Sequence, residues 1–207
     1  MRDSPNVVLI MADDMGYGDV ECINAESMIP TPNIDRIAEN GIVLTNAHAP
    51  AGICTPTRYA LLSGEYQFRL EAERNCLAKP YWRPKIDEGV PTIATLMKKA
   101  GYATACVGKW HLGLDWPAKD GLKKPFTEVE SEVDFSKPFQ NGPTTKGFDY
   151  FFGSAGCSTS DPPFCYLEND HTVGIPNIPS PPELDVLPGV VPGLMTDYWD
   201  VAKVDVD

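Results

Sequence analysis

The stretch from Ile53 to Gly64, I-C-T-P-T-R-Y-A-L-L-S-G, constrains this chain more than any other. Thr55 or Thr57 suits the cap of a helix, and Pro56 suits its first turn, where a missing N–H costs nothing. The apolar Ala60, Leu61 and Leu62 carry the helix on. Cys54 is thereby expected at a helix N-terminus, where free N–H groups and the positive dipole end favour an anion. A thiol so placed is acidified, and Arg58, one turn on, adds to the effect. Cys-x-Pro alone reads as a buried cysteine beside an ordinary capped helix. Cys-x-Pro-Thr-Arg leading into Leu-Leu-Ser-Gly is far more specific.

On either side the pattern alternates strand and helix. Val7–Met11 is a continuous apolar run, as in a central strand buried on both faces. Asp13 and Asp14 follow at its carboxyl end, the edge where open α/β sheets bind ligands. Adjacent carboxylates repel, and a hard cation such as Ca²⁺ or Mg²⁺ offsets that; a solvated turn before Gly16-Tyr17-Gly18-Asp19 is the plain alternative. Thr31 caps an expected helix with Pro32 at its first position, Ile34, Ile37 and Ala38 on one face and Gly41 as its stop. Ile42–Leu44 reads as a second strand. His48 is expected to be a loop histidine rather than a group near the site.

Residues 65–89 read as a polar, solvated loop. From Thr92 to Ala100, Ile93, Leu96 and Met97 give another apolar helical face, and Tyr102–Val107 a third strand. The segment Gly108-Lys-Trp-His-Leu-Gly113 follows, with Lys109 and His111 alternating so that both can point one way. It lacks the spacing of a phosphate-binding Walker loop. Residues 114–146 read as loop, and Phe164–Val173 as a hairpin turning at Asn169-Asp170, with His171 exposed near its tip. Between Pro176 and Pro192 the chain is proline-rich, Asp197–Asp207 is acidic, and no strand or helix pattern is expected there.

Taken together, these stretches resemble the type I sulfatases. Cys54-Thr-Pro-Thr-Arg58 with Leu61-Leu-Ser-Gly64 matches their signature C-x-P-[ST]-R and its Leu-Leu-[ST]-Gly helix. Asn6–Asp19 is similar to their N-terminal strand, Gly101–Gly113 to their second signature, and Gly147–Gly153 to the next block. The resemblance implies a mostly parallel α/β sheet flanked by helices, alkaline-phosphatase-like and cut short. It implies a catalytic-domain portion at 1–175 and a segment at 176–207 leading toward the rest.

The same resemblance implies the chemistry. Cys54 is oxidised to formylglycine, whose hydrated aldehyde attacks sulfur and touches the metal, with Arg58 holding it. Asp13 and Asp14 bind the cation, Ca²⁺ or alternatively Mg²⁺. Lys109 binds a sulfate oxygen, and His111 removes a proton from the second hydroxyl so that sulfate leaves. Ser158, on the loop after Gly153, is the expected further contact to sulfate. The implied partners are a sulfate ester and a formylglycine-generating enzyme. A further Asp, Asn, His and Lys of the family pattern have no counterpart here, so the chain is expected to be an inactive fragment.

Composition trims the alternatives. A net charge of −12 over 207 residues disfavours a nucleic-acid surface, and no apolar run approaches the length of a membrane span. Six cysteines without C-x-x-C make neither a zinc knuckle nor a disulfide framework, and converting Cys54 leaves an odd five. No leader is evident before Val7, although relatives of this kind are often periplasmic, secreted or lysosomal. Two other functions stay open: a phosphonate or phosphate monoester hydrolase of the same superfamily, and a non-catalytic binding module that keeps a free thiol at Cys54.

Overall fold

Proline, threonine and glycine punctuation sets the three α-helices among the described residues. They are α1, Pro32–Glu39; α2, Cys54–Ser63; and α3, Ile93–Lys99. The computed structural model describes residues 4–70, 80–182, 191–197 and 199. It divides into two units, Met1–Ala49 and Pro50–Asp207.

In the first unit, Thr31 sits at the N-cap of α1 without capping through its side chain. Its hydroxyl instead accepts from the Glu21 N–H at 2.9 Å and donates to the Asp35 carboxylate at 3.1 Å. The Thr31 N–H in turn donates to the Glu21 carboxylate at 3.0 Å. These bonds fasten the loop after Val20 to the start of the helix. The two strands expected here do not form. Val7–Met11 and Ile42–Leu44 run without ladder bonds, and Val8, Ile10 and Ile42 are 82%, 79% and 86% exposed. An apolar run becomes a strand only where another strand offers its N–H and C=O groups, and among the described residues of the first unit none does. The face of α1 carrying Ile34 and Ile37 is likewise exposed.

The second unit holds the sheet. Strand β1, Ala105–Lys109, pairs in parallel with β2, Tyr150–Ser154. Antiparallel to β2 runs β3, Leu167–Glu168, which turns through Asn169 and Asp170 into β4, His171–Thr172, as expected. The class is α/β, and the four-stranded sheet is mixed, with β1–β2 as its parallel pair. The expected third strand starts later and ends later, because Thr104 is first tied to Asp149 by backbone and side-chain bonds. A Cβ on Gly153 would lie 1.7 Å from the Gly108 carbonyl oxygen, so only glycine lets β1 and β2 close. A short ribbon of β5, Ile178–Pro179, and β6, Leu194–Met195, occupies the region where no strand was expected.

Helix α3 carries a reciprocal cap: the Thr92 hydroxyl accepts from the Thr95 N–H, and the Thr95 hydroxyl accepts from the Thr92 N–H. Thr92 also donates to the Lys146 carbonyl at 2.6 Å. Gly147 backs against Ala94 and Thr95 so closely that a Cβ there would clash. Those contacts turn Ala94 inward and leave Ile93 and Leu96 exposed, opposite to the face expected from periodicity.

Much of the core comes from segments that read as loop. Tyr81, Ile86, Leu114, Trp116, Val133, Phe135 and Phe139 join Trp110, Phe151 and Leu167 in one buried cluster. Trp116 sits 5.6 Å from Phe135 and 5.5 Å from Phe139, ring to ring, in tilted and edge-on contacts. Single bridges, Asp115 to Gln140 and Ala118 to Val133, take the place of regular strands. Buried Asp115 accepts from the Arg83 guanidinium and, at 2.6 Å, from the Asn141 amide. Residues 80–86 are therefore partly core, not a solvated loop. Lys79, Cys76 and their neighbours at 71–79 lie outside the described residues.

Candidate active site

The first helical residue of α2 is Cys54, preceded by Ile53 in extended conformation, and Gly64 ends the helix in the left-handed region with its N–H on the Ala60 carbonyl. Neither threonine caps the helix. Thr55 is fully buried and donates to the His111 carbonyl at 3.0 Å, while Thr57 donates to the Ala51 carbonyl at 2.9 Å. The Thr55 bond docks the start of α2 against the segment after β1. A second tie does the same one turn on, where the Arg58 guanidinium donates to the Lys109 carbonyl.

Beyond Lys109 the ladder continues, with the Trp110 N–H on the Ser154 carbonyl and the His111 N–H on that of Ala155. His111 then takes a positive φ of 52°, so the segment is not extended there as the alternation argument required. Trp110 and Leu112 turn into the core, and His111 is left 4% exposed facing Cys54. Cys54 Sγ lies 3.1 Å from His111 Nδ1. On the other edge of the ring, Nε2 lies 3.3 Å from Asp161 Oδ2. A carboxylate only accepts, which favours the hydrogen on Nε2 and leaves Nδ1 directed at residue 54.

The loop after β2 closes the group. The Cys157 N–H donates to Asp161 Oδ2 at 3.0 Å, and the Asp161 N–H returns to the Cys157 carbonyl at 3.0 Å. The side chains of Cys54, His111, Lys109 and Ser160 act on the Cys157 thiol. Its thiol is pushed up to about 12, first by the bond with Cys54 and then by burial, with His111 and Lys109 opposing. Burial likewise raises the Cys106 thiol on β1, against the pull of Arg58.

Cys54, Arg58, Lys109 and His111 are thus brought together, while Ser158 sits half-buried in the turn beside them. The residues that face His111 from that loop are Cys157 and Asp161, which sequence reasoning missed. The usable signal was topological: β1 and β2 are parallel neighbours, so the loops leaving their carboxyl ends meet. Asp13 and Asp14 belong to the other unit, exposed at a bend, with Asp14 at φ 62°. Their oxygens suit a hard cation such as Ca²⁺ or Mg²⁺. His48 is exposed and bonded to Asn46 at 2.8 Å, away from any such role.

The sequence model of the Sulfatase family matches residues 5–172. The chain belongs to the sulfatase family. It is 39% identical over 176 residues to an N-acetylgalactosamine-6-O-sulfatase of Bacteroides thetaiotaomicron, covering 84% of this chain and 31% of that protein. Human steryl-sulfatase is 37% identical over 72% of this chain and 23% of its own length, and human arylsulfatase A is 33% identical over 96% and 36%. Among solved structures, one from work on the metabolism of multiple glycosaminoglycans by B. thetaiotaomicron superposes with a TM-score of 0.69 at 37% identity. That match covers 83% of this chain and 32% of that one. The chain therefore spans only between 23% and 36% of the length of these curated relatives. Sulfatases generally use a cysteine-derived formylglycine and a divalent metal, and act on sulfate esters. No described helix is long and apolar enough to cross a membrane.

Proposed function

We propose that this chain supplies the nucleophile and its proton partner to a sulfuric ester hydrolase, with Cys54 converted to formylglycine. The observation that carries this reading is the placement of Cys54 at the start of α2, with its sulfur 3.1 Å from His111 Nδ1. Free N–H groups at that helix end favour negative charge on residue 54. Lys109 and Arg58, both anchored at the end of β1, bring positive charge to the place where sulfuryl oxygens gather charge in the transition state. Arg58 also ties α2 to the Lys109 carbonyl, which docks the helix carrying residue 54 against the end of β1.

His111 is the group placed to take a proton from residue 54. Asp161, on the far edge of the ring, fixes which nitrogen is available, the relation that a third residue bears to the base in a catalytic triad. A divalent cation, Ca²⁺ being our assignment, would be held by Asp13 and Asp14, whose carboxylate oxygens suit a hard ion. We assign the sulfate-facing role on the loop after β2 to the 157–161 turn as a whole, Ser158 included.

Aryl sulfate and aryl phosphate turnover, compared in the active protein carrying this segment and made with a formylglycine-generating enzyme, tests the reading. The expected result is sulfate release that is lost on chelation and in Cys54→Ala. Phosphate release with no sulfate release would overturn it in favour of a phosphatase of the same superfamily.

A further inference from the structure

Before conversion, residue 54 is a thiol, and it does not stand alone. Among the described residues, Cys54 Sγ, Cys157 Sγ and a ring nitrogen of His111 all lie within 4.8 Å of one another. The three donors come from three separate segments, the start of α2, the turn after β1 and the loop after β2. Each is held by its own backbone ties: Thr55 to the His111 carbonyl, His111 to the Ala155 carbonyl, and Cys157 to the Asp161 carboxylate. Two thiol sulfurs and an imidazole form a soft donor set, unlike the carboxylates Asp13 and Asp14.

We infer that the unconverted chain binds one Zn²⁺ through Cys54, Cys157 and His111, and that this ion masks the thiol that is to be converted. In a tetrahedral zinc site with Zn–S of about 2.3 Å and Zn–N of about 2.0–2.1 Å, neighbouring donors sit roughly 3.5 Å apart. The Cys54–His111 separation of 3.1 Å is already near that, and the cluster needs only a small adjustment to share an ion. His111 is arranged as zinc-bound histidines usually are. Nδ1 points at the donors, and Nε2 faces the Asp161 carboxylate, which orients the ring and raises its basicity.

The charges balance as well. Binding forms two Zn–S bonds and one Zn–N bond, and the two thiol protons pass to solvent. Two thiolates and a neutral imidazole bring the ion to zero net charge, while Lys109 and Asp161 beside it offset one another. The fourth position is left to water, since no fourth His, Cys, Asp or Glu joins this group among the described residues. Zinc binding rests on these donors alone; its consequence for conversion rests on the function proposed above.

The test uses the reduced full chain with Cys54 unconverted. Iodoacetamide labelling, followed peptide by peptide, is run with and without one equivalent of Zn²⁺. The expected result is at least tenfold slower alkylation of both Cys54 and Cys157, reversed by chelator, with exposed Cys22 unaffected. Co²⁺ substituted for zinc is expected to give the charge-transfer absorption of two thiolates. In Cys157→Ser, shown by circular dichroism to be folded, Cys54 loses its protection. Unchanged alkylation of Cys54 with zinc, or protection that survives Cys157→Ser, would overturn the site; the wild-type labelling and Co²⁺ spectrum decide even if the variant does not fold. A chain that binds zinc as expected but never gains an aldehyde at residue 54 would instead overturn the proposed function and leave the zinc site standing.

Discussion

His111 shows how little of a side chain's role is set by its own chemistry. Its ring nitrogens are assigned by neighbours: Cys54 on one edge and Asp161 on the other. Replacing Asp161 with Asn keeps the shape but offers a weaker, ambivalent partner to Nε2. In the active protein carrying this segment, kcat is expected to fall on the order of 10- to 100-fold, as is usual for a group that orients a site residue. KM should change little, and the pH profile of kcat should shift, which a merely structural role for Asp161 would not cause. Cys54, Arg58, Lys109 and His111 could be named as candidates because each lies in a stretch whose residue types and spacing are matched over several positions. Cys157 and Asp161 were not, because Cys-Ser-Thr-Ser-Asp reads as a turn. Which of its side chains faces His111 is decided by the register of the loop, which no local pattern fixes.

At the scale of elements, the signals that worked were local ones. Pro32, Thr92 and Gly64 mark helix ends because the reasons are contained in one or two residues, and Asn169-Asp170 marks the hairpin for the same reason. Two strands failed for want of a partner, at Val7–Met11 and Ile42–Leu44, while the third formed because Tyr150–Ser154 lies beside it. The aromatic core failed differently: Tyr81, Trp116, Phe135 and Phe139 sit in irregular chain with neither a two-residue nor a 3.6-residue period to betray burial. Two substitutions probe the elements that hold the site. Gly153→Ala puts a methyl against the Gly108 carbonyl and should destabilise the second unit by at least about 2–3 kcal/mol, read as a lowered urea midpoint or failure to fold. Thr92→Ala removes the cap of α3 and leaves the Lys146 carbonyl without its donor, at a cost of about 1–2 kcal/mol by the same measurement.

For the whole molecule, the exposed apolar residues set the expectation. Val8, Ile10, Met28 and Ile42 are each more than three-quarters exposed, well beyond scattered surface residues of a closed domain. The 207-residue chain by itself is expected to bind a hydrophobic dye such as ANS strongly. It is also expected to turn over no aryl sulfate, since Asp13 and Asp14 give a hard cation only part of the ~6–8 oxygens it takes. Chelator-sensitive turnover by the purified 207-residue chain would contradict that. The Cys54→Ser variant of the active protein separates steps within the site. Serine keeps one hydroxyl at the start of α2 but lacks the second hydroxyl on the same carbon, so release of alcohol should stop at one equivalent, read by intact-protein mass.

The conversion of Cys54 is the claim on which the rest depends. Mass analysis of the peptide containing residues 53–58, from protein made together with a formylglycine-generating enzyme, tests it most directly. The expected result is a peptide that has lost the sulfur of Cys54 and reacts with a hydrazide probe, while the peptide containing Cys157 keeps its thiol. A Cys54 peptide recovered wholly as free thiol, from protein in which a known sulfatase made alongside is converted, would contradict it.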